Sequence, residues 1–281
     1  DIYMSITIKD ISKLAHVSPT TVSRVLNEKK TGYSYQTKQR IIKIAQQYSY
    51  RPNAIAKGLV TKKTKTIGLI IPDITNPFFP EIARGVEDGA MLYGYSAFFC
   101  NSDDKYEKEK LYIQTLEKRC IDGIIFTMAS HGDHQVQFVD KDIPIVLIDR
   151  KGDNVDIPCM IFENRKGGYL AGKHLAELGH TSVACITGPK TLKNDKERVK
   201  GFKQAFWERG IKLSDDLFFE SNYRIETGEK IAEQILRQHK VSAIFATNDL
   251  TALGVYEAAH KLKISIPKQL SVVGFDDVYV S

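Results

Sequence analysis

The 281-residue chain is 42% apolar and 26% charged, enough to bury a full core as one large or two modest domains with an accessory segment. No window nears the roughly eighteen unbroken apolar residues of a membrane span, and the N-terminus has no apolar signal stretch, so the expected location is cytoplasmic, with no membrane partner. The net charge of +6 is uneven: residues 1–65 hold 13 Lys and Arg against Asp1, Asp10 and Glu28, a balance of +10, while the remainder holds 27 basic against 31 acidic residues, a balance of −4. A basic segment at one end suits a polyanionic partner, although charge alone fits a solvated basic surface about as well.

In chain order, Met4 reads as the natural start, and Thr7 caps a first helix with Asp10 at its third position. Ile8, Ile11, Leu14 and Ala15 fall on one face of it. Ser18 is a second N-cap, and Pro19 takes the first helical position, where its missing N–H is harmless. That helix runs to about Asn27, with Val22, Val25 and Leu26 inward and Thr20 and Arg24 sharing an outer face. A third helix starts at Ser34 and carries Ile41, Ile44, Ala45 and Tyr48 inward, which completes a helix-turn-helix. A linker-like stretch, Lys-rich toward its end, occupies 53–65.

From Thr66 the pattern becomes alternating strands and helices. Strands are expected at 67–71, 96–100, 123–126, 145–148, 159–162, 183–187, 243–246 and 270–275, and amphipathic helices include 78–93, 105–118, 164–178 and 249–262. Short continuous apolar strands separated by helices predict a mainly parallel sheet covered on both faces. Trp207 falls on an amphipathic helix and reads as core. Cys100, Cys120, Cys159 and Cys185 are scattered without metal-ligand or Cys-x-x-Cys spacing and read as reduced thiols.

Enzyme signatures are missing: there is no Gly-x-Ser-x-Gly elbow, phosphate-binding Gly-rich Lys-Ser/Thr loop, Gly-x-Gly-x-x-Gly or His-Glu-x-x-His. The histidines, His131, His134 and His174 among them, are not at metal-ligand spacing with carboxylates. No cofactor, metal or catalytic residue is therefore expected.

Residues 7–27, TIKDISKLAHVSPTTVSRVLN, closely resemble the headpiece signature of LacI/GalR transcriptional regulators. The resemblance continues through Tyr50-Arg51-Pro52-Asn53, Ala56 and Leu59, then Thr66-Ile67-Gly68-Leu69-Ile70, Asn76-Pro77-Phe78-Phe79, Gly179-His180, Ile186-Thr187-Gly188-Pro189, Thr247-Asn248-Asp249 and Gly274-Phe275-Asp276-Asp277. It covers essentially the whole chain, and at Asn76–Phe79 and Ile186–Pro189 it resembles ribose-type repressors. It implies an N-terminal all-α helix-turn-helix headpiece (4–50), a hinge helix and linker (51–65), and an α/β periplasmic-binding-protein-like core (66–281) of two doubly wound subdomains, 66–162 and 163–281. His16 stands where the family usually has glycine, and His tolerates a positive φ better than most residues. The family continues some fifty residues past the position of Ser281, so the part that completes both subdomains is expected to be missing.

The family reading makes the chain a sequence-specific DNA-binding regulator that represses carbohydrate genes and is released by a small sugar. The expected partners are a pseudo-palindromic double-stranded operator, a sugar effector and a second copy in a homodimer. Recognition-helix geometry nominates Pro19, Thr20 and Arg24 to read bases, and Ser18 and Thr21 to hold phosphates. The resemblance adds Asn53, Ala56 and Leu59 as hinge contacts in the minor groove, Leu59 wedging between base pairs. For the effector, matching positions give Asn76, Phe78, Phe79, Asp149, Arg150, Arg198, Tyr223, Asn248 and Asp276, mostly following strands, where ligands of parallel sheets bind. Each has a plainer reading: Asn76 as a helix cap, Phe78 and Phe79 as core. Glu163-Asn164 stands where sugar-responsive relatives often have Asp-Asn. Co-repression by a purine or a phosphocarrier protein, a solute-binding protein and a nucleoid-type protein are the competing readings.

Overall fold

The computed structural model describes residues 6–28, 31–50, 63–128, 142–150 and 156–280, and the chain divides into two units, Asp1–Thr64 and Lys65–Ser281.

In the first unit, Thr7 and Asp10 cap one another: the Thr7 hydroxyl accepts from Asp10 N, and the Asp10 carboxylate accepts from Thr7 N at 3.0 Å, starting α1 (Ile8–Leu14). The chain then turns on His16, whose φ of +50° is the left-handed value the sequence demands there. Ser18 accepts from Thr21 N at 3.1 Å to start α2 (Pro19–Leu26), and Ser34 does the same for α3 (Tyr35–Gln47). Helices this short are marginal alone, so their stability comes from burying Ile11, Ala15, Val22, Val25, Ile41 and Ala45 together. Leu14 and Tyr48, expected to face inward, are about half exposed, because the three-helix core closes around Ile11, Ala15 and Ile41 before reaching these helix ends.

The second unit contains two parallel sheets. The first, in order β2-β1-β3-β4-β5, is built from β1 (Thr66–Ile71), β2 (Ser96–Asn101), β3 (Gly123–Phe126), β4 (Ile145–Ile148) and β5 (Cys159–Met160), with α4 (Phe78–Leu92) and α5 (Tyr106–Lys118) between its early strands. Side-chain alternation decides its two faces: Ile70 packs with Ile113 and Leu116 of α5, whereas Leu69 and Ile71 pack with Phe79 of α4.

The second sheet, in order β7-β6-β8-β9, uses β6 (Val183–Thr187), β7 (Phe218–Glu220), β8 (Ala243–Ala246) and β9 (Ser271–Val273). Its helices are α6 (Asn164–Glu177), α7 (Lys193–Trp207), α8 (Ile225–Gln238) and α9 (Asp249–Lys261). Cys185 and Phe245 face α6 and α7, while Ala184, Ile186 and Ile244 face α8 and α9.

Three sequence expectations are corrected. β9 ends at Val273: Gly274 lies against the Asp249 carboxylate, which takes the backbone N–H groups of Phe275, Asp277 and Val278, and the turn continues through positive φ at Asp276 and Asp277, +104° and +57°. β5 stops at Met160, and Phe162 leaves the ladder. Trp207 is 70% exposed rather than core: α7 buries Phe202 and Phe206, so the adjacent position 207 points away.

Candidate functional site

On the headpiece, the expected base-reading face is open: Ser18, Pro19, Thr20 and Arg24 are exposed, and Thr21 is partly so. The Ser18 and Thr21 hydroxyls share a hydrogen bond of 2.9 Å, and the Arg24 guanidinium lies against Gly32, where a Cβ would come within 2.6 Å of Nη1. Asn53, Ala56 and Leu59 lie outside the described residues.

In the core, close helix packing sets the site. A Cβ on Gly168 would meet the Arg198 carbonyl at 1.9 Å, and one on Gly201 would meet the Arg165 carbonyl at 1.9 Å, so α6 and α7 cross at backbone contact. That crossing places Arg198, 4% exposed, beneath the ends of β8 and β9. Its Nε donates to Asn164 Oδ1 at 2.8 Å, its Nη1 donates to the Thr247 carbonyl at 2.5 Å, and its Nη2 lies 3.2 Å from Asp276 Oδ1. The guanidinium sits 3.8 Å from the Phe275 ring centroid.

Above this ion pair opens a cavity of about 540 Å³, lined by Phe78, Phe162, Glu163, Arg198, Asp249, Gly274, Phe275, Asp276 and Asp277. Burial pushes the Asp276 carboxyl up to about 7; Arg198 pulls it down, and the charges of Asp249 and Asp149 raise it. Burial also raises the Asp249 carboxyl, against backbone N–H donors from the 275–278 turn.

Of the nine expected effector residues, the cavity lining takes Phe78, Arg198 and Asp276. The ring of Phe78 meets Phe162 edge-on at 5.7 Å. Phe79 is buried with Leu69 and Ile71. Asn76 Oδ1 accepts from Phe78 N at 3.2 Å, and Asn248 Oδ1 caps α9 by accepting from Thr251 N at 3.0 Å while its Nδ2 donates to the Tyr223 carbonyl at 3.3 Å. Arg150 Nη1 donates to Asp104 Oδ1 at 3.0 Å and to the Met128 carbonyl at 3.1 Å. Asp149, also after β4, accepts from Asn194 Nδ2 at 3.2 Å, which ties the C-terminal end of β4 to α7.

Tyr223 turns its hydroxyl inward onto Asp195 at 2.9 Å, and burial beside that carboxylate drives its ionisation far upward. Asp195 was not singled out from the sequence, yet its Oδ1 also accepts from Gly188 N at 2.9 Å and Thr247 Oγ1 at 2.5 Å, pinning the ends of β6 and β8. Its position three residues before Arg198 on the same helix face was the available signal. Phe162 and Phe275 were missed because they read as strand residues.

Residues 64–280 match the family of periplasmic binding proteins and the sugar-binding domain of LacI-type regulators, and residues 7–53 match the bacterial regulatory proteins of the lacI family. The chain belongs to the LacI family. It is accordingly a DNA-binding transcriptional regulator and not an enzyme. Over 97% of its length it is 38% identical to 80% of a ribose operon repressor from Halalkalibacterium halodurans. Over 99% it is 36% identical to 83% of the HTH-type transcriptional regulator DegA of Bacillus subtilis. A lac repressor dimer bound to operator and the anti-inducer ONPF shares its fold, with a TM-score of 0.86 and 24% identity over 98% of this chain and 84% of that one. Among the described residues of this LacI-family chain, no helix is long and apolar enough to cross a membrane, and no group of His, Cys, Asp or Glu is placed to hold a metal ion.

Proposed function

We propose that the chain is a dimeric, sequence-specific repressor of carbohydrate genes, released from a pseudo-palindromic operator by a small sugar. The observation that carries the sugar reading is the cavity with the Arg198–Asp276 pair on its floor and Phe78, Phe162 and Phe275 on its walls. A carboxylate and a guanidinium pair with hydroxyls, and aromatic rings cover the apolar face of a sugar ring. The matched domain's description and the ribose operon repressor support the same class.

Within the headpiece (4–50), α2 enters the major groove, where Arg24 swings from Gly32 to make a bidentate contact with guanine and Thr20 and Pro19 meet neighbouring base edges. Ser18 and Thr21 hold phosphates. The hinge (51–65) supplies Asn53, Ala56 and Leu59 to the minor groove. In the core (66–281), Arg198, Asp276 and Phe78 touch the effector, while Asn76, Phe79, Arg150, Tyr223 and Asn248 hold the walls in place. Asp149–Asn194 and Arg224–Asp73, the latter 3.7 Å apart, join the two sheet-bearing halves and bias their closure. A sugar that prefers one degree of closure shifts the population and lowers operator affinity in proportion to that preference.

Selection of random duplexes by the purified chain, with and without pentoses, hexoses and purines, tests this. A pseudo-palindromic motif that one sugar abolishes is the expected result. Enrichment that responds to purines alone would overturn the sugar assignment.

A further inference from the structure

Reading the cavity as the effector site, we infer that it selects by charge: neutral polyols enter, and their phosphorylated or carboxylated counterparts are rejected. Four carboxylates line it, on Glu163, Asp249, Asp276 and Asp277, against one guanidinium, that of Arg198. Two more buried carboxylates stand behind, Asp149 and Asp195.

Arg198 is the group an anion would seek, but every one of its nitrogens is already engaged. Nε serves Asn164, Nη1 serves the Thr247 carbonyl, Nη2 faces Asp276, and one face of the guanidinium is covered by Phe275. A phosphate reaching for the guanidinium would compete with Asp276 at Nη2 and would sit directly beside that carboxyl group. Arg150 offers no substitute, since its Nη1 is held by Asp104 and the Met128 carbonyl and it does not line the cavity. Of the lining acids, Glu163 has a neutralising lysine at hand, Lys166 at 3.0 Å, itself outside the lining. Asp249 is held by the Val278 N–H at 3.0 Å, which orients its charge without cancelling it.

Burial is the main cause that holds the Asp276 carboxyl up to about 7, against the pull of Arg198, and the neighbouring charges of Asp249 and Asp149 add to it, so a further anion here would meet like charges. The Asp276 side chain and Asp249 are buried, where like charges repel more strongly than in bulk water, whereas Glu163 and Asp277 are exposed and add repulsion that salt screens. A polyol meets none of this repulsion. Its hydroxyls donate to the carboxylates, and its ring lies against Phe78, Phe162 and Phe275.

The test is calorimetric titration of the full chain with matched probes, ribose against ribose 5-phosphate and glucose against glucose 6-phosphate, at low and high salt. The expected result is that one neutral sugar binds and its phosphate ester binds at least about a hundredfold more weakly. That ratio should shrink severalfold at high salt and in Asp277→Asn. A phosphate ester that binds as tightly as its parent would overturn charge selection and leave the effector reading standing. Failure of every neutral and phosphorylated sugar to bind would overturn both. A ratio that neither salt nor Asp277→Asn changes would assign rejection to shape and overturn the charge account. If Asp277→Asn does not fold, the salt series on the unaltered chain decides alone.

Discussion

The two halves of the core carry similar polar residues at their strand ends and use them differently. In the first half these groups are mostly closed upon their own lobe: Arg150 is tied to Asp104 and the Met128 carbonyl, Asn76 accepts from Phe78 N, and Phe79 is packed into the sheet. In the second half, Arg198 and Asp276 face an open cavity, held by partners beneath them. The difference teaches that a position after a parallel strand brings a residue near the cleft but does not point it there. What points it is a helix supplying partners from below, and α6 and α7, crossing at Gly168 and Gly201, supply them in the second half alone.

The harshest break of this contrast is Arg198→Ala. It strands Asp276, Asn164 and the Thr247 carbonyl in a buried setting, so a loss of about 3–5 kcal/mol in denaturant unfolding is expected, with sugar-dependent operator release abolished. A loss below about 1 kcal/mol with release intact would mean that the floor is not built on this arginine. Next come the two neighbouring phenylalanines. Phe79→Ala should cost about 3–4 kcal/mol of stability and leave sugar affinity of the folded protein within twofold, because its ring is core. Phe78→Ala should cost less stability yet weaken sugar binding about tenfold. Reversal of that pattern in paired melts and titrations would reverse the assignment of the two rings.

A graded effect, spread over several pH units, follows from Asp276. Its carboxyl titrates near 7 in the folded protein against 3.8 for the ordinary group, so the folded state holds a proton that the unfolded state has lost. The stability this contributes is complete below about pH 4 and declines as the pH rises toward 7, by at most about 1.4 kcal/mol per pH unit. Asp276→Asn, which cannot ionise, should therefore melt progressively higher than the parent across that window, the gap levelling off above pH 7. A gap that closes with rising pH would show that Arg198, rather than burial, governs this carboxyl.

How much of this was readable from the sequence depends on how local each feature is. The headpiece was legible almost residue by residue, because Thr7, Ser18, Pro19 and Ser34 mark helix starts by contacts made within three residues. Strands β1, β3, β4, β6 and β8 were equally plain as apolar runs, whereas β7, three residues long, was not. The cavity floor was only half visible. Arg198 and Asp276 came through family resemblance, but their link runs through Asn164 and Thr247, which lie 34 and 49 residues from Arg198 in the chain. No local spacing encodes such contacts. Asp195 was missed for the same reason: its partners Gly188, Tyr223 and Thr247 come from three different strand ends.

The smallest expected effect concerns the sole tryptophan and sharpens the contrast from outside the site. Trp207 ends the same helix that carries Arg198, yet it is 70% exposed, beyond the core pair Phe202 and Phe206. Trp207→Ala should change stability by no more than about 0.5 kcal/mol. The indole, in a water-like environment, should emit at long wavelength and stay nearly constant as the cavity fills. Sugar binding that is evident by calorimetry but silent in tryptophan emission is the expected pairing. A strong emission change on binding would mean that closure moves the whole of α7 rather than ordering side chains at its first turns, so the second half would be as mobile as the contacts between the halves allow.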